Sequence, residues 1–146
     1  MSHLVKIKFL LSCILVCLAG CMCDTDGLMT ADDLARVSLK DGVYSGRYVM
    51  QDFYKLIKAP FHDSKVVVTI KAGKLNKVEV VDLALGRFKY KYRYQIMKHP
   101  REMVEQNSVV VDAVSTATLS SFCMMQAVQD AVNKAVVAYK TESAVR

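Results

Sequence analysis

Alternating apolar and polar positions mark strands in the middle of the chain. After the turn signal Asp41-Gly42, every second residue up to Tyr48 suits the same face of a sheet, which predicts a first strand. Residues 66 to 80 alternate in the same way on both sides of Ala72-Gly73-Lys74, and their β-branched side chains favour a half-buried sheet. A short break that contains glycine can reverse the chain, so these residues predict a hairpin.

Helical periodicity appears in the C-terminal half. Residues 101 to 106 follow Pro100 and predict a short helix, because a first turn accepts proline and acidic residues suit the N-terminal half. The three valines at 109 to 111 indicate a brief buried strand. The longest predicted element is an amphipathic helix of about five turns that begins near Thr118. Its apolar positions are Met125, Val128, Val132, Val136 and Tyr139, and its polar positions are Gln126, Gln129, Asp130, Asn133 and Lys134.

The order of these elements predicts the fold class. It is α+β: a single domain over residues 41–146, with a twisted, mostly antiparallel sheet packed against the long C-terminal helix. Residues 21–40 are polar and show little periodicity before residues 34 to 37, so we interpret them as a tether. Fully stretched, this tether spans at most ~60 Å at about 3.3 Å per residue.

The N-terminus has the pattern of a secretion signal. Lys6 and Lys8 accompany an apolar run that is too short to span a bilayer comfortably. The run ends in Leu18-Ala19-Gly20-Cys21, which resembles the lipobox of bacterial lipoprotein signal peptides. The resemblance implies that residues 1–20 are a signal peptide and that Cys21 carries lipid, including palmitate. The protein is then anchored on the extracytoplasmic side of the cell membrane or outer membrane. The alternatives are an ordinary buried thiol and an uncleaved membrane anchor.

Size and charge indicate a single domain and argue against a nucleic-acid-binding protein. Removal of residues 1–20 leaves 126 of the 146 residues, which is the size of one domain. The removed segment holds two of the 20 Lys and Arg residues and none of the 14 Asp and Glu residues, so the formal charge falls from +6 to +4. This mild charge suits an anionic lipid surface and is far from the dense basic footprint of a nucleic-acid-binding protein. We therefore expect membrane contact through the lipid anchor and no nucleic-acid partner.

The cysteine and histidine residues form no metal motif. Cys13 and Cys17 belong to the signal peptide, so Cys23 and Cys123 remain as thiols once Cys21 is lipidated. An oxidising space permits a disulfide between these two, but one lies in the predicted tether and the other in the predicted helix. We therefore expect Cys123 to be a buried thiol. The three histidines are scattered at positions 3, 62 and 99, and they support neither a zinc site nor Ser/His catalysis.

A cluster of hydroxyl residues precedes the long predicted helix. It comprises Asp112, Ala113, Val114, Ser115, Thr116, Ala117, Thr118, Leu119, Ser120 and Ser121. The N–H groups and the positive dipole end of a helix start attract a phosphate, and the hydroxyls of Thr118, Ser120 and Ser121 can add hydrogen bonds. Such clusters also occur as ordinary N-caps, so their position alone leaves both interpretations open.

This cluster resembles the signature of the FMN-binding domain family, Asp-x-x-(Ser/Thr)-Gly-Ala-Thr. In that family a flavin transferase attaches FMN to the threonine through a phosphoester. The resemblance implies that Thr118 carries FMN, and that the binding site also includes Asp112, Ser115, Thr116, Ala117, Ser120 and Ser121. The likeness extends over residues 41 to 139 and includes the segment Asp41-Gly42-Val43-Tyr44-Ser45-Gly46, which is similar to the first strand of the family. The chain departs from the signature at Thr116, where the family has glycine.

The resemblance also implies a function. The family includes small membrane-anchored lipoproteins of spirochaetes and the flavin-bearing subunits of sodium-pumping quinone reductases and Rnf complexes. We therefore expect an extracytoplasmic electron carrier rather than a self-contained enzyme, since the isoalloxazine ring of FMN performs the redox chemistry. The sequence has no nicotinamide fingerprint, haem motif or iron–sulfur cysteine set, so such a carrier needs separate redox partner proteins. The alternative is a flavin-free lipoprotein that uses the same fold as a binding or structural module.

The segment from Arg87 to Tyr94 alternates basic with aromatic residues and allows two interpretations. We favour a strand whose rings lie in the core and whose charges face water. The other interpretation is a surface that stacks on an isoalloxazine ring, or that contacts a phosphate or a lipid head group.

Overall fold

The structure has the α+β architecture that the sequence predicts. It is a computed structural model, and it describes residues 27–50, 62–83, 93–113 and 118–139. The helices in these ranges are α1 (Ala31–Arg36), α2 (Arg93–Ile96), α3 (His99–Gln106) and α4 (Thr118–Ala135). The strands are β1 (Val37–Leu39), β2 (Gly42–Met50), β3 (His62–Lys71), β4 (Lys74–Leu83) and β5 (Val136–Tyr139). None of the helices in the described ranges is long and apolar enough to cross a membrane.

The central sheet carries the core of the domain on one face. β2, β3 and β4 pair antiparallel in that order, and α4 packs against β2 and β3. Because side chains alternate between the two faces of a strand, every second side chain of these strands faces α4. The buried apolar residues of the sheet are Val66, Val68, Ile70, Leu75 and Val78, and those of α4 are Cys123, Met124, Met125, Ala127, Val128, Ala131, Val132 and Ala135. The predictions of the first strand, the hairpin and a buried Cys123 thiol are confirmed.

Asp41 holds the turn of the β3–β4 hairpin. Ala72 and Gly73 have φ angles of 52° and 68°, and positive φ at both central residues is what a type I′ turn between twisted strands requires. The Asp41 carboxylate accepts hydrogen bonds from the N–H groups of Ala72 at 2.8 Å and Gly73 at 3.0 Å. The bond from Gly73 and then that from Ala72 lower the pKa of Asp41 below its ordinary value. The residue that marks the start of β2 thus also stabilises the following hairpin.

Gly46 allows α4 to lie directly on β2. A Cβ atom at this position would overlap the carbonyl oxygen of Ala127 and would lie 2.9 Å from the Cβ of Ala131. The backbones of helix and strand therefore contact each other, an approach for which glycine is needed. This packing explains why the segment that resembles the first strand of the family ends in glycine.

Residues 28 to 40 belong to the folded domain, so the predicted tether to residue 40 and the domain boundary at 41 were wrong. Thr30 and Asp33 form a capping box at the start of α1. β1 pairs antiparallel with β5, at the other end of the chain. The buried residues of this segment are Leu28, Leu34, Val37 and Leu39. α1 has only 6 residues, too few to show a helical period. Residues 1–26, including the predicted signal peptide and Cys21, lie outside the described residues.

The C-terminal helix ends earlier than predicted. α4 stops at Ala135, and Val136–Tyr139 forms β5 instead of continuing the helix. The N–H of Lys40 donates a hydrogen bond to the carbonyl oxygen of Ala135 at 2.9 Å, next to the pairing of β1 with β5. Gln129, predicted on the polar face, is buried, and its Oε1 accepts a hydrogen bond from the N–H of Met29 at 2.7 Å. Contacts with the N-terminal segment therefore explain both why α4 ends at Ala135 and why Gln129 is buried.

The strand predicted at residues 109 to 111 is absent, although Val109 and Val111 are buried as expected for a core segment. The N–H of Val109 donates to the carbonyl oxygen of Met29 at 3.0 Å. A single bond of this kind makes no strand ladder. The valines at these positions are therefore apolar because they are buried in the core, and not because they form a strand.

The aromatic segment departs from the strand interpretation at its C-terminal end. Residues 84–92 lie outside the described residues, but Arg93–Ile96 forms α2. Tyr94 is 76 % exposed, and Lys98 Nζ lies 5.0 Å from the centroid of its ring. The prediction that this ring lies in the core was wrong, because a short helix turns it to the surface, where it contacts a cation.

Candidate functional site

The candidate site is the N-terminal end of α4. Thr118 is the first residue of this 18-residue helix. The N–H groups of a first helical turn lack partners within the helix, and the helix dipole places a partial positive charge there. No acidic residue lies in the first turn of α4, so no carboxylate of that turn competes for this end. The helix end therefore attracts an anion such as a phosphate.

The structure describes only part of the predicted hydroxyl cluster. Ser120 is 9 % exposed and Ser121 is 0 % exposed, so both side chains lie against the domain rather than in solvent. Asp112 is exposed, and Ser115, Thr116 and Ala117 lie outside the described residues. The two serines after Thr118 are therefore buried constituents of the first turns.

A buried histidine links α3 to the first turn of α4. His99 is the first residue of α3 and is 2 % exposed. Its Nδ1 lies 3.0 Å from Glu102 Oε2, and its Nε2 lies 3.0 Å from Ser121 Oγ. Serine hydrolases also align a carboxylate, an imidazole and a hydroxyl, but the burial of Ser121 keeps a substrate away from its hydroxyl. These contacts therefore act within the fold.

Sequence reasoning misses this contact. The sequence shows His99 only as one of three scattered histidines, 22 residues before Ser121. The spacing of His99 and Glu102 fits a helical (i, i+3) pair, which is the available local signal if α3 begins at His99. The bond to Ser121 depends on where α3 meets α4, and no local pattern indicates it.

An aromatic pair and an unsatisfied hydroxyl lie near the N-terminal half of α4. The rings of Tyr48 on β2 and Phe122 on α4 are perpendicular, with their centroids 5.9 Å apart. Ser64 on β3 is the pairing partner of Tyr48 and is fully buried. Within the described part of the chain, its Oγ has no hydrogen-bond partner. A buried polar group without a partner costs about 1–3 kcal/mol. This corner thus has an unused hydrogen-bonding group beside aromatic surface.

The C-terminal half of α4 is tied to β2 by charged groups. Lys134 Nζ donates to Asp130 Oδ2 at 2.7 Å and to the carbonyl oxygen of Ser45 at 2.8 Å. The N–H of Arg47 donates to Asp130 Oδ2 at 3.0 Å. Burial raises the pKa of Asp130, but the bonds from Lys134 and Arg47 outweigh burial, so this pKa lies below its ordinary value. These contacts hold α4 at the end opposite to Thr118.

The described residues offer other surface features away from this helix end. Grooves of ≈ 630 Å³ between β4 and α3, and of ≈ 440 Å³ beside β1 and the hairpin turn, are lined by no residue of α4. In the same ranges, no group of three or more His, Cys, Asp or Glu side chains is arranged to hold a metal ion. These two grooves are therefore separate from the N-terminal end of α4.

Comparison with known proteins connects this geometry to a family. Residues 62–133 match the family model described as FMN-binding domain, a range that contains His99, Thr118 and Ser121. The resemblance is thus confirmed from β3 to α4, whereas residues 41 to 46 lie before the matched range. The chain is also similar to the crystal structure of the CPE2226 protein from Clostridium perfringens, with a TM-score of 0.47 and 16% sequence identity. That similarity covers 66% of this chain and 88% of the other. No curated protein matches the chain.

Proposed function

Since residues 62–133 form an FMN-binding domain, we propose that this chain carries FMN on Thr118 and relays electrons between separate donor and acceptor proteins. The observation that carries the proposal is a threonine as the first residue of α4, inside the matched range. A phosphoester there keeps the negative charge of FMN at the positive end of the helix dipole.

The residues around this helix end fit both parts of FMN. The N–H groups of the first turn suit the phosphate, and the rings of Tyr48 and Phe122 suit a planar ring system. When bound, FMN supplies electron storage, and the protein supplies position and electrostatics.

Thr118 acts in the attachment as the nucleophile. Its hydroxyl oxygen forms a bond to the phosphorus of FMN and gives up its proton. Because this esterification needs an activated donor, the flavin transferase uses a flavin nucleotide that contains a pyrophosphate. The pyrophosphate bond breaks and a nucleoside monophosphate leaves, so no atom changes its oxidation state.

Coexpression with a flavin transferase tests the proposal. The wild-type chain is expected to gain the mass of one FMN phosphoester and to give a fluorescent band in a denaturing gel. Peptide mass spectrometry is expected to find the adduct on the peptide that contains Thr118. A chain that stays unmodified beside a transferase that modifies a known acceptor would instead support the flavin-free binding or structural module. The departure from the family signature at Thr116 favours that second candidate.

Thr116→Gly is expected to raise the rate of flavin loading about tenfold. A β-branched residue at the family's glycine obstructs close approach to the backbone, and a turn that requires φ > 0 at this position would strain threonine by on the order of 1–3 kcal/mol. Relief of about 1.4 kcal/mol in the transition state corresponds to a tenfold rate. Absorbance in the flavin band and intact mass, followed in parallel time courses with the same transferase, measure the change.

The matched control for this substitution is Ala113→Gly, which adds similar backbone freedom at an exposed position of the cluster, three residues before Thr116. Its loading rate is expected to stay at the wild-type level. Equal rates for the wild type and Thr116→Gly would show that Thr116 is not an obstacle.

We also propose that Cys21 is lipidated and that the domain is held at the extracytoplasmic side of a membrane. The proposal rests on the lipobox resemblance. Because Leu28 is already part of the core, residues 21 to 27 span at most ~23 Å at about 3.3 Å per residue. This distance keeps the domain close to the lipid surface.

Cys21→Ala is expected to abolish palmitate incorporation and membrane retention, because the substituted residue lacks the thiol that accepts the lipid. Metabolic labelling and membrane fractionation measure the two effects. Cys23→Ala, which removes a neighbouring thiol, is the control and is expected to retain both. Continued labelling of the Cys21→Ala chain would exclude this cysteine as the lipidation site.

A further inference from the structure

The first turn of helix α4 is hydrogen-bonded to a histidine on another helix. We infer that the Glu102–His99–Ser121 chain of hydrogen bonds is a positioning device, which holds the start of α4 so that Thr118 meets the flavin transferase in a fixed place. This inference rests on the proposed attachment of FMN to Thr118. His99 is a positioning residue in it, since it acts through Ser121 and touches neither the flavin nor the reacting oxygen.

The contact with Glu102 orients the His99 ring. A carboxylate oxygen only accepts hydrogen bonds, so Nδ1 of His99 donates to Glu102. In the tautomer that carries its proton on Nδ1, Nε2 accepts a hydrogen bond from the Ser121 hydroxyl. Glu102 therefore orients the ring and selects its tautomer, and the ring in turn orients Ser121. With both ring nitrogens engaged and the ring 2 % exposed, the ring has one favourable position.

The position of Ser121 connects this chain of bonds to the attachment residue. Thr118 and Ser121 are three residues apart in α4, and residues at this spacing lie on the same side of a helix. The ties of α4 through Gln129 and Asp130 lie about two turns farther along. The bonds of Gln129 and Asp130 are far from the N-terminal end of α4. The bond to His99 holds this end, within one turn of Thr118.

Group transfer depends strongly on such positioning. A displacement of about 1 Å at reacting groups can lower a rate by on the order of 100-fold. Thr118 is the first residue of α4, so a shift of this helix end moves it directly. Loss of the bond between His99 and Ser121 is therefore expected to lower kcat/KM for flavin transfer about tenfold, with little change in the folded fraction.

Two amide substitutions at His99 separate the two bonds of the ring. The amide of a glutamine reaches the position of Nε2, so His99→Gln keeps the contact with Ser121. The amide of an asparagine reaches the position of Nδ1, so His99→Asn keeps only the contact with Glu102. We expect His99→Gln to stay within about threefold of the wild type in kcat/KM and His99→Asn to fall about tenfold. Ser121→Ala, a smaller change, is expected to fall at least as far as His99→Asn, and the double variant no further than Ser121→Ala.

Gln129→Ala is the matched control, because it removes another buried hydrogen bond of α4 away from Thr118. Urea unfolding gives the stability of every variant, and rates are compared at equal folded fractions. A second readout needs no flavin: backbone amide NMR shifts of residues 118 to 121 are expected to move in His99→Asn and Ser121→Ala and to stay constant in Gln129→Ala.

The outcomes separate the inference from the function on which it rests. If the wild-type chain accepts no FMN from an active transferase, the proposed function fails and the positioning role fails with it. If the wild type accepts FMN but His99→Asn and Ser121→Ala load no more slowly than Gln129→Ala, only the positioning role is overturned. Slower transfer to both variants, with shifted amides at residues 118 to 121, supports it.

Discussion

Thr118→Ala is expected to abolish the FMN adduct completely and to leave the domain folded. The substitution removes the hydroxyl oxygen that the phosphoester requires. Alanine has the highest helix propensity, and loss of a hydroxyl near a helix start costs on the order of 1 kcal/mol. Intact mass after coexpression with the transferase measures the adduct, and circular dichroism with urea unfolding measures the fold.

Thr118→Ser is the matched control because it retains the hydroxyl while it removes one methyl group. Its chain is expected to load with FMN. An adduct that persists in Thr118→Ala would mean that the motif is misaligned, and peptide mapping would then distinguish attachment to Ser115 from attachment to Ser120. Loss of the adduct together with loss of the fold would contradict the expectation that Thr118 is dispensable for stability.

Gly46→Ala is expected to lower the free energy of unfolding by about 3 kcal/mol or more. The added methyl group would overlap the carbonyl oxygen of Ala127, so α4 must move away from β2 and the core beneath it must open. Because folded domains are stable by only about 5–15 kcal/mol, such a loss is a large part of the total. The urea concentration at the midpoint of unfolding measures it.

Gly73→Ala makes the same chemical change without the overlap. A Cβ there meets only the carbonyl oxygen of Leu39 at 3.9 Å, so the cost is that of alanine at a φ of +68°. That cost is about 1–2 kcal/mol. If Gly46→Ala destabilises the domain no more than Gly73→Ala does, the close contact of α4 with β2 is not what requires glycine at position 46.

Local patterns are sufficient to predict the elements that interact with their neighbours in sequence. The hairpin of β3 and β4 follows from β-branched alternation around a glycine turn, and α4 follows from a long apolar stripe. The elements missed are those with distant partners. β1 has three residues and pairs with β5 at the opposite end of the chain, so neither strand has a signal of its own.

Some residues of the candidate site are likewise predictable from local sequence, and others are not. Thr118 at the start of a helix is predictable, because a signature of hydroxyl residues and the following apolar stripe are adjacent in sequence. His99 and Ser64 are not predictable, since the roles of a buried imidazole and an unpaired hydroxyl depend on residues of other elements that surround them.

Local patterns along the chain are thus enough for the α+β class, the first strand and the hairpin, the family over residues 62–133 and the helix that begins at Thr118. The packing of distant segments instead establishes that residues 28 to 40 are part of the core, that α4 ends at Ala135, and that His99 contacts Ser121. The difference lies in the range of the forces involved. Alternation, turn chemistry and helix periodicity act between near neighbours, whereas burial and the pairing of polar groups are settled where distant segments pack together.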